Sequence, residues 1–326
     1  MRPSSPVRGY VLVTVLGTLA LLALLAGRFA QRMDDMRAQA GVLDAHARAN
    51  VDAASAAALA LYWVATNRSN PAGFGDDPMR TVHADGRAYR MPSGAEIRVQ
   101  DTRGLVPANL TTDAQAMRAL LGVLGVSLQR ADQMVDVLLD YADGDNLRRL
   151  NGAEAAEYSA LSLTPPRNDW LISLRELSRL PLWRDDAQLL ARLENLLSTH
   201  RDGLFNPNAA PLDVLRAKLP TARPEQLELF QTLRRDMGFF SADTARRATG
   251  LPFGGDEQFF FTSPWPRITV WAPGLPRPVQ YTLQLTPDGE RAPWQLYEVR
   301  SAPMPGPVSP PQSATPFPLV IASDRP

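Results

Sequence analysis

Residues 10–27 read YVLVTVLGTLALLALLAG, a run without charge whose polar side chains are Thr14 and Thr18. At about 1.5 Å of rise per residue such a run makes a helix of roughly 27 Å, close to the thickness of one bilayer core. Ahead of it stands MRPSSPVRG, with Arg2 and Arg8 and no acid. Positive residues on a short leading side hold that side in the cytoplasm, so the rest of the chain is expected to be exported. Arg28 and Arg32 follow the run, but Asp34 and Asp35 come close behind, and the flanks stay asymmetric. A removable secretory signal has a shorter apolar core and a small-x-small cut site. Here the run passes into further helix-forming sequence with neither, which favours an anchor that stays.

From Arg28 to about Thr66 there is no proline, and Gly41 is the one glycine. Met33, Met36, Ala40, Leu43, Ala47, Val51, Ala54, Ala58, Leu61 and Tyr62 recur at three- and four-residue steps, the spacing of one apolar stripe on a helix. Joined to the apolar run, this stretch predicts a single helix of about 55 residues, unusual for a globular domain.

Composition narrows the function classes. The 34 basic and 34 acidic residues cancel, against the basic surplus of a nucleic-acid binder. Cysteine is absent, which removes disulfides, thiolate metal sites and cysteine nucleophiles. His46, His83 and His200 are scattered. The sequence holds no Gly-x-Ser-x-Gly, Walker loop, His-Glu-x-x-His or Gly-x-Gly-x-x-Gly.

Residues 67–86 read as loop, and Arg87–Met91 with Ala95–Gln100 as a hairpin around Pro92-Ser93-Gly94. Residues 105–250 then read as short helices. Thr112/Gln115 and Ser173/Glu176 form capping boxes, Ser127 opens a helix, and Asp185 opens another running through Leu197. This block has 17 basic and 19 acidic residues, so helix–hairpin–helix DNA binding is disfavoured. Strand signals return at Phe259–Phe261, Arg267–Trp271, Val279–Leu285 and Gln295–Arg300. The proline-rich tail from Ser301 is expected to be flexible. A weak echo links Gly104-Leu105…Asn109 with Gly203-Leu204…Asn208, both spelling Gly-Leu-x-x-x-Asn.

One cluster offers chemistry. Asp140, Asp143, Asp145, Asn146, Asn151, Glu154 and Glu157 crowd the loop between two predicted helices. Calcium takes six to eight oxygens in flexible geometry, but the spacing is not that of an EF-hand. A solvated acidic turn with a helix cap is the other reading of the same residues.

These pieces together resemble the K-class minor pseudopilin of bacterial type II secretion systems, the general secretion pathway protein K family. The resemblance is carried by Arg8-Gly9-Tyr10 opening the apolar helix, Asp101-x-x-Gly104 leading to Asn109, and the Asp140…Asn151-Gly-Ala-Glu154 loop. Ser173-Leu-Arg-Glu-Leu177 and Phe205-Asn-Pro-Asn-Ala-Ala-Pro211 complete it. It implies cleavage after Gly9 by prepilin peptidase and methylation of the new N-terminal amine on Tyr10. It also implies a link of the acidic loop (Asp140, Asp143, Asp145, Asn151, Glu154) to calcium, with no individual ligand assigned.

The implied fold is α+β: a pilin-like long N-terminal helix packed on an antiparallel sheet, with a large all-α domain inserted between strands. Its parts are a cytoplasmic leader (1–9), a transmembrane helix half (10–27) and a periplasmic helix half (28–66). The pilin-like α/β domain (67–104 and 251–300) is split by the helical insert (105–250), and the tail is 301–326. Most pilins carry phenylalanine and glutamate where this chain has Tyr10 and Thr14, a departure that suits an end of the fibre better than its repeating interior.

The chain is read as a structural assembly protein, not an enzyme. It is expected in the bacterial inner membrane as a single pass, N-terminus cytoplasmic and C-terminal domain periplasmic. Expected partners are the I-, J- and H-class minor pseudopilins, the major pseudopilin, prepilin peptidase and inner-membrane lipid, and no nucleic acid. The competing readings are a membrane-tethered periplasmic binding protein or enzyme, and a minor pilin of a type IV pilus.

Overall fold

With no proline to break it, helix α1 runs from Arg8 to Thr66 in a computed structural model that describes residues 8–109, 114–302 and 315–318. The chain divides into two units, 1–51 and 52–326. In the first, the described residues are all α1, and the apolar side chains of the opening run, such as Leu12, Leu16 and Leu22, stand exposed as lipid-facing groups do. By length and composition α1 is the one helix among the described residues able to cross a membrane. Its polar side chains are tolerable there because the hydroxyls turn inward. Thr14 Oγ1 donates to the Tyr10 carbonyl and Thr18 Oγ1 to the Thr14 carbonyl, both at 3.0 Å.

The second unit opens with the last turns of α1. Their buried face is Ala53, Ala56, Ala57, Ala60, Trp63 and Val64, while Ala54, Ala58 and Tyr62 are exposed. The sequence stripe is thus rotated from the one expected. Small alanines let neighbouring backbone come close, and Trp63 anchors the end by donating its indole N–H to the Phe74 carbonyl at 2.9 Å.

Strands β1 (Gly73–Phe74) and β2 (Val82–His83) pair antiparallel, and β3 (Asp85–Arg90) and β4 (Glu96–Asp101) form the expected hairpin. The helical block follows: β5 (Val106–Pro107), α2 (Ala114–Val123), α3 (Leu128–Ala142), α4 (Ala155–Ala160), α5 (Ala187–Leu193) and β6 (Leu197–Ser198). It continues with α6 (Leu212–Lys218), α7 (Pro224–Leu233) and α8 (Ala242–Thr249). Then come β7 (Pro266–Trp271), β8 (Val279–Leu285), β9 (Trp294–Ser301) and β10 (Thr315–Pro316). The main sheet has the order β10-β3-β4-β7-β8-β9, so the whole helical block leaves after β4 and returns beside it in β7. This is the expected α+β architecture, with an insertion between adjacent antiparallel strands that is mainly helical but, unlike the all-α domain expected, also holds the short parallel pair β5–β6.

Ile97, Val99, Ile268, Val270 and Leu283 are fully buried on one face of the sheet. The block has its own core, including Leu120, Met134, Tyr158, Leu177, Trp183 and Phe230. Trp183 satisfies its indole N–H on the Met134 carbonyl at 2.8 Å.

Four further expectations change. Phe259–Phe261 is not a strand: Phe260 packs edge-on against Phe253 at 5.5 Å in the helical core, and Asn206 and Asn208 amides take the carbonyls of Phe261 and Phe260. The helix expected through Leu197 ends at Leu193, and Leu197 pairs in parallel with Val106 instead. Ser173 and Glu176 form their capping box on a 3-10 turn, Leu174–Arg179. Finally, the tail is not free throughout. Thr315 and Pro316 align parallel with Tyr89 and Arg90, and Phe317 is buried against Trp63 and Tyr89 at 5.7 and 6.0 Å. The leader up to Val7, the Thr112 half of its capping box, and tail residues 303–314 and 319–326 lie outside the described residues.

Candidate functional site

Asp101 ends β4 at the point where the helical block departs. Its carboxylate is fully buried and accepts from Arg103 N–H (3.0 Å), Asn206 Nδ2 (2.8 Å), Ser263 N–H (3.0 Å) and Ser263 Oγ. Arg103 opens the insertion, Ser263 ends it, and Asn206 lies midway, so one acid ties entry, middle and exit. Gly104 is required beside it, because a Cβ there would stand 2.6 Å from the Ala209 backbone.

The Gly-Leu-x-x-x-Asn echo proves structural. Asn109 accepts from Leu171 N–H at 2.8 Å and donates to the Leu171 (2.8 Å) and Thr199 (3.0 Å) carbonyls. Asn208 accepts from Phe239 N–H at 2.9 Å and donates to the Phe239 and Phe260 carbonyls, both at 2.8 Å. Each amide imitates a strand neighbour for one residue and adds a second carbonyl, at two places in the block. The sequence repeat pointed to loop–helix joints; the shared bonding pattern needed coordinates.

The acidic loop begins where α3 ends, with Asp143 at the C-cap. Asp140 is fully buried and accepts from the Arg149 N–H at 3.1 Å and from Arg149 Nη1 at 2.7 Å. Arg149 also pairs with Asp143. The loop closes over Asp140 through Gly152, where a Cβ would fall 1.8 Å from Asp140 Oδ2. Asn151 donates through Nδ2 to Asp136 at 3.1 Å. Asp140 and Asn151 therefore shape the loop, while Asp143, Asp145 and Glu154 each bring one carboxylate oxygen within 4.8 Å of the others.

Among those three acids, Asp143 is paired with Arg149 through one oxygen and Asp145 accepts from the Leu147 N–H at 2.7 Å, whereas Glu154 lacks such partners. Glu154 is 5% exposed, and neither of its side-chain oxygens meets a donor; nor does Asp143 Oδ1. Burial pushes the Glu154 carboxyl above its ordinary range, and the neighbouring Asp140, Asp143 and Asp145 push it the same way. Buried anionic oxygens without donors, opening to the surface through exposed Asp145, suit a hard cation that prefers oxygen ligands. Arg149 was the partner that residue spacing alone did not reveal, although an arginine inside a carboxylate cluster was a visible signal. The histidines take no part: His83 is tied to Tyr89 at 2.9 Å and to the Asp236 carbonyl at 3.1 Å.

Residues 100–201, from the end of β4 through the acidic loop to Arg201, match the family described as type II secretion system (T2SS), protein K. This stretch is thus similar to the family that the residues pointed to. Among solved structures the chain is similar to one from the GspK–GspI–GspJ complex of the enterotoxigenic Escherichia coli type 2 secretion system. The identity is 18%, over 83% of this chain and 99% of that one, with a TM-score of 0.45. No curated protein matches.

Proposed function

We propose that the chain is a minor pseudopilin of the type II secretion system, placed at the tip of the pseudopilus. There it nucleates or caps assembly with the I-, J- and H-class minor pseudopilins during export across the outer membrane. The observation that carries this reading is the protein K match over residues 100–201, in a chain whose N-terminal helix is uncharged across residues 10–27. Helix α1 anchors the chain in the inner membrane before assembly and bundles with partner helices afterwards, with the rest of the chain in the periplasm.

The end-of-fibre placement rests on Thr14. In a repeating pilin interior, a buried acid offsets the N-terminal amine of a neighbour, because an unpaired charge in lipid is costly. Thr14 is neutral, and its hydroxyl is already committed to the Tyr10 carbonyl. Prepilin peptidase is proposed to cut after Gly9 and methylate Tyr10. Asp143, Asp145 and Glu154 are proposed to hold calcium, which supplies positive charge to the Glu154 oxygens and Asp143 Oδ1 that meet no donor, while Asp140 and Asn151 keep the loop in place. The role of the cation is structural, and no catalytic step is assigned.

Co-expression of the full chain with I- and J-class minor pseudopilins in detergent tests the assembly. A stable complex is expected, and a chain that purifies alone in their presence overturns the tip reading. Mass spectrometry of the mature protein should find N-methylated Tyr10 first; an intact Met1 in a peptidase-competent host means a plain tether.

A further inference from the structure

A cleft of about 620 Å³ lies where the helical block meets the sheet. One wall comes from the segments carrying Trp170 and Arg201, the other from Trp265, Arg267 and Tyr297. The assembly reading makes no use of it.

Its construction begins with strand register. β8 and β9 pair Thr282 with Glu298 but Leu283 with Leu296, leaving Tyr297 as an extra residue in edge strand β9. Such a bulge re-aims a side chain and blunts an edge against strand addition. Tyr297 lies 5.4 Å from Trp265, which in turn lies 4.4 Å from His200. On the other wall the Arg201 guanidinium stacks 3.8 Å over Trp170. Tyr297 is 54% and Trp170 43% exposed, so both present ring surface to a ligand.

Two guanidiniums in the cleft make no ion pair among the described residues, although Asp169 and Glu298 share the lining and Glu194 and Glu298 act on Arg267 electrostatically. Arg201 has only the face of Trp170. Arg267, 5% exposed, gives its Nη atoms to the carbonyls of Glu194 and Leu197 at 3.1 and 2.8 Å, and its Nε–H has no acceptor. By contrast, Asp202 is already taken by Arg103 and His200, and Arg167 by Glu176. Thr199 and Thr282 add hydroxyls to the lining.

Aromatic faces rimmed by hydroxyls and guanidiniums complement a pyranose ring, which is apolar on its C–H face and polar around its edge. An extended peptide would need the regular edge that the bulge removes. We propose that this cleft binds a carboxylate-bearing oligosaccharide, with sugar rings on Trp170 and Tyr297 and the acid group at Arg201 and Arg267.

The test titrates the full chain in detergent micelles, read by tryptophan fluorescence and saturation-transfer NMR. The probes are the N-acetylglucosamine–N-acetylmuramic acid disaccharide, uncharged diacetylchitobiose, and an acidic tetrapeptide. Saturable binding of the acidic disaccharide is expected, at least about fivefold tighter than chitobiose. Trp170→Ala and Arg201→Gln, both at exposed side chains, should each weaken it about tenfold with an unchanged melting temperature. No saturation by about 10 mM, equal binding of the two sugars, or preference for the peptide overturns the proposal. The comparison of the two sugars needs no variant, so it decides even if a substitution disturbs the fold.

Discussion

Asp101 and Glu154 are both buried carboxylates, 0% and 5% exposed, and they differ in what meets them. Burial pushes both acids up. At Asp101 the donors of Ser263, Asn206 and Arg103 oppose it, whereas at Glu154 the four neighbouring carboxylates of Asp140, Asp143, Asp145 and Glu157 reinforce it. Asp101 is complete within the chain: its oxygens are matched by donors from both ends and the middle of the insertion. Glu154 has burial without donors. A fold does not retain such a group for stability, since an uncompensated buried charge opposes folding. The difference separates a joint from a candidate site more sharply than any count of acids.

The comparison breaks first at Asp101. Asp101→Ala removes the acceptor of four hydrogen bonds, and a loss of about 3–5 kcal/mol is expected in denaturant unfolding of the full chain. Next in size, saturating calcium should raise the melting temperature, equivalent to about 2.7 kcal/mol at a hundredfold excess over Kd, and chelator should reverse it. Asp143→Asn and Glu154→Gln should abolish that rise, and a melt indifferent to calcium would reduce the acidic loop to a turn. Smaller still, Glu154→Gln in chelator should stabilise the protein, on the order of 1 kcal/mol, because the substitution removes charge where no donor receives it.

The smallest effect is in pH. Because the Glu154 pKa is raised in the folded chain, the native state holds more protons than the unfolded state between the ordinary value and the raised one. Stability then falls as pH rises through that window. Chelated protein should therefore melt at a higher temperature as pH is lowered towards the ordinary carboxylate range, and the gain should vanish in Glu154→Gln and under saturating calcium. Asp202 behaves oppositely. Against burial, hydrogen bonds from His200 and Arg103 hold it at about 2, so its stabilisation is present above 3.8 and lost as pH falls towards 2.

Much of the architecture was legible because it is local. The unbroken helix, the β3–β4 hairpin, and the strand Val279–Leu285 are carried by periodicity and breakers within a few residues. What escaped depends on partners distant in the chain. Phe259–Phe261 has strand composition, yet the amides of Asn206 and Asn208 take its carbonyls and the Phe253 ring takes Phe260. Leu197 completes a helical pattern, but Val106, far earlier in the chain, supplies a parallel partner. In the acidic loop composition located the cluster. The division into loop-shaping Asp140 and converging Asp143, Asp145 and Glu154 followed from where Arg149 sits and from the missing side chain at Gly152.

Phe317 sets a timetable for this molecule. Its ring seals against Trp63 at the end of the first helix, and the residues just before it cover the outer strand of the sheet. Synthesis delivers the Trp63 side of that contact early and the Phe317 side much later. A chain stalled part-way leaves the outer strand bare, in the condition most prone to wrong pairing with a neighbour. Closure of the sheet's outer edge thus waits on a segment far downstream of the strand it covers.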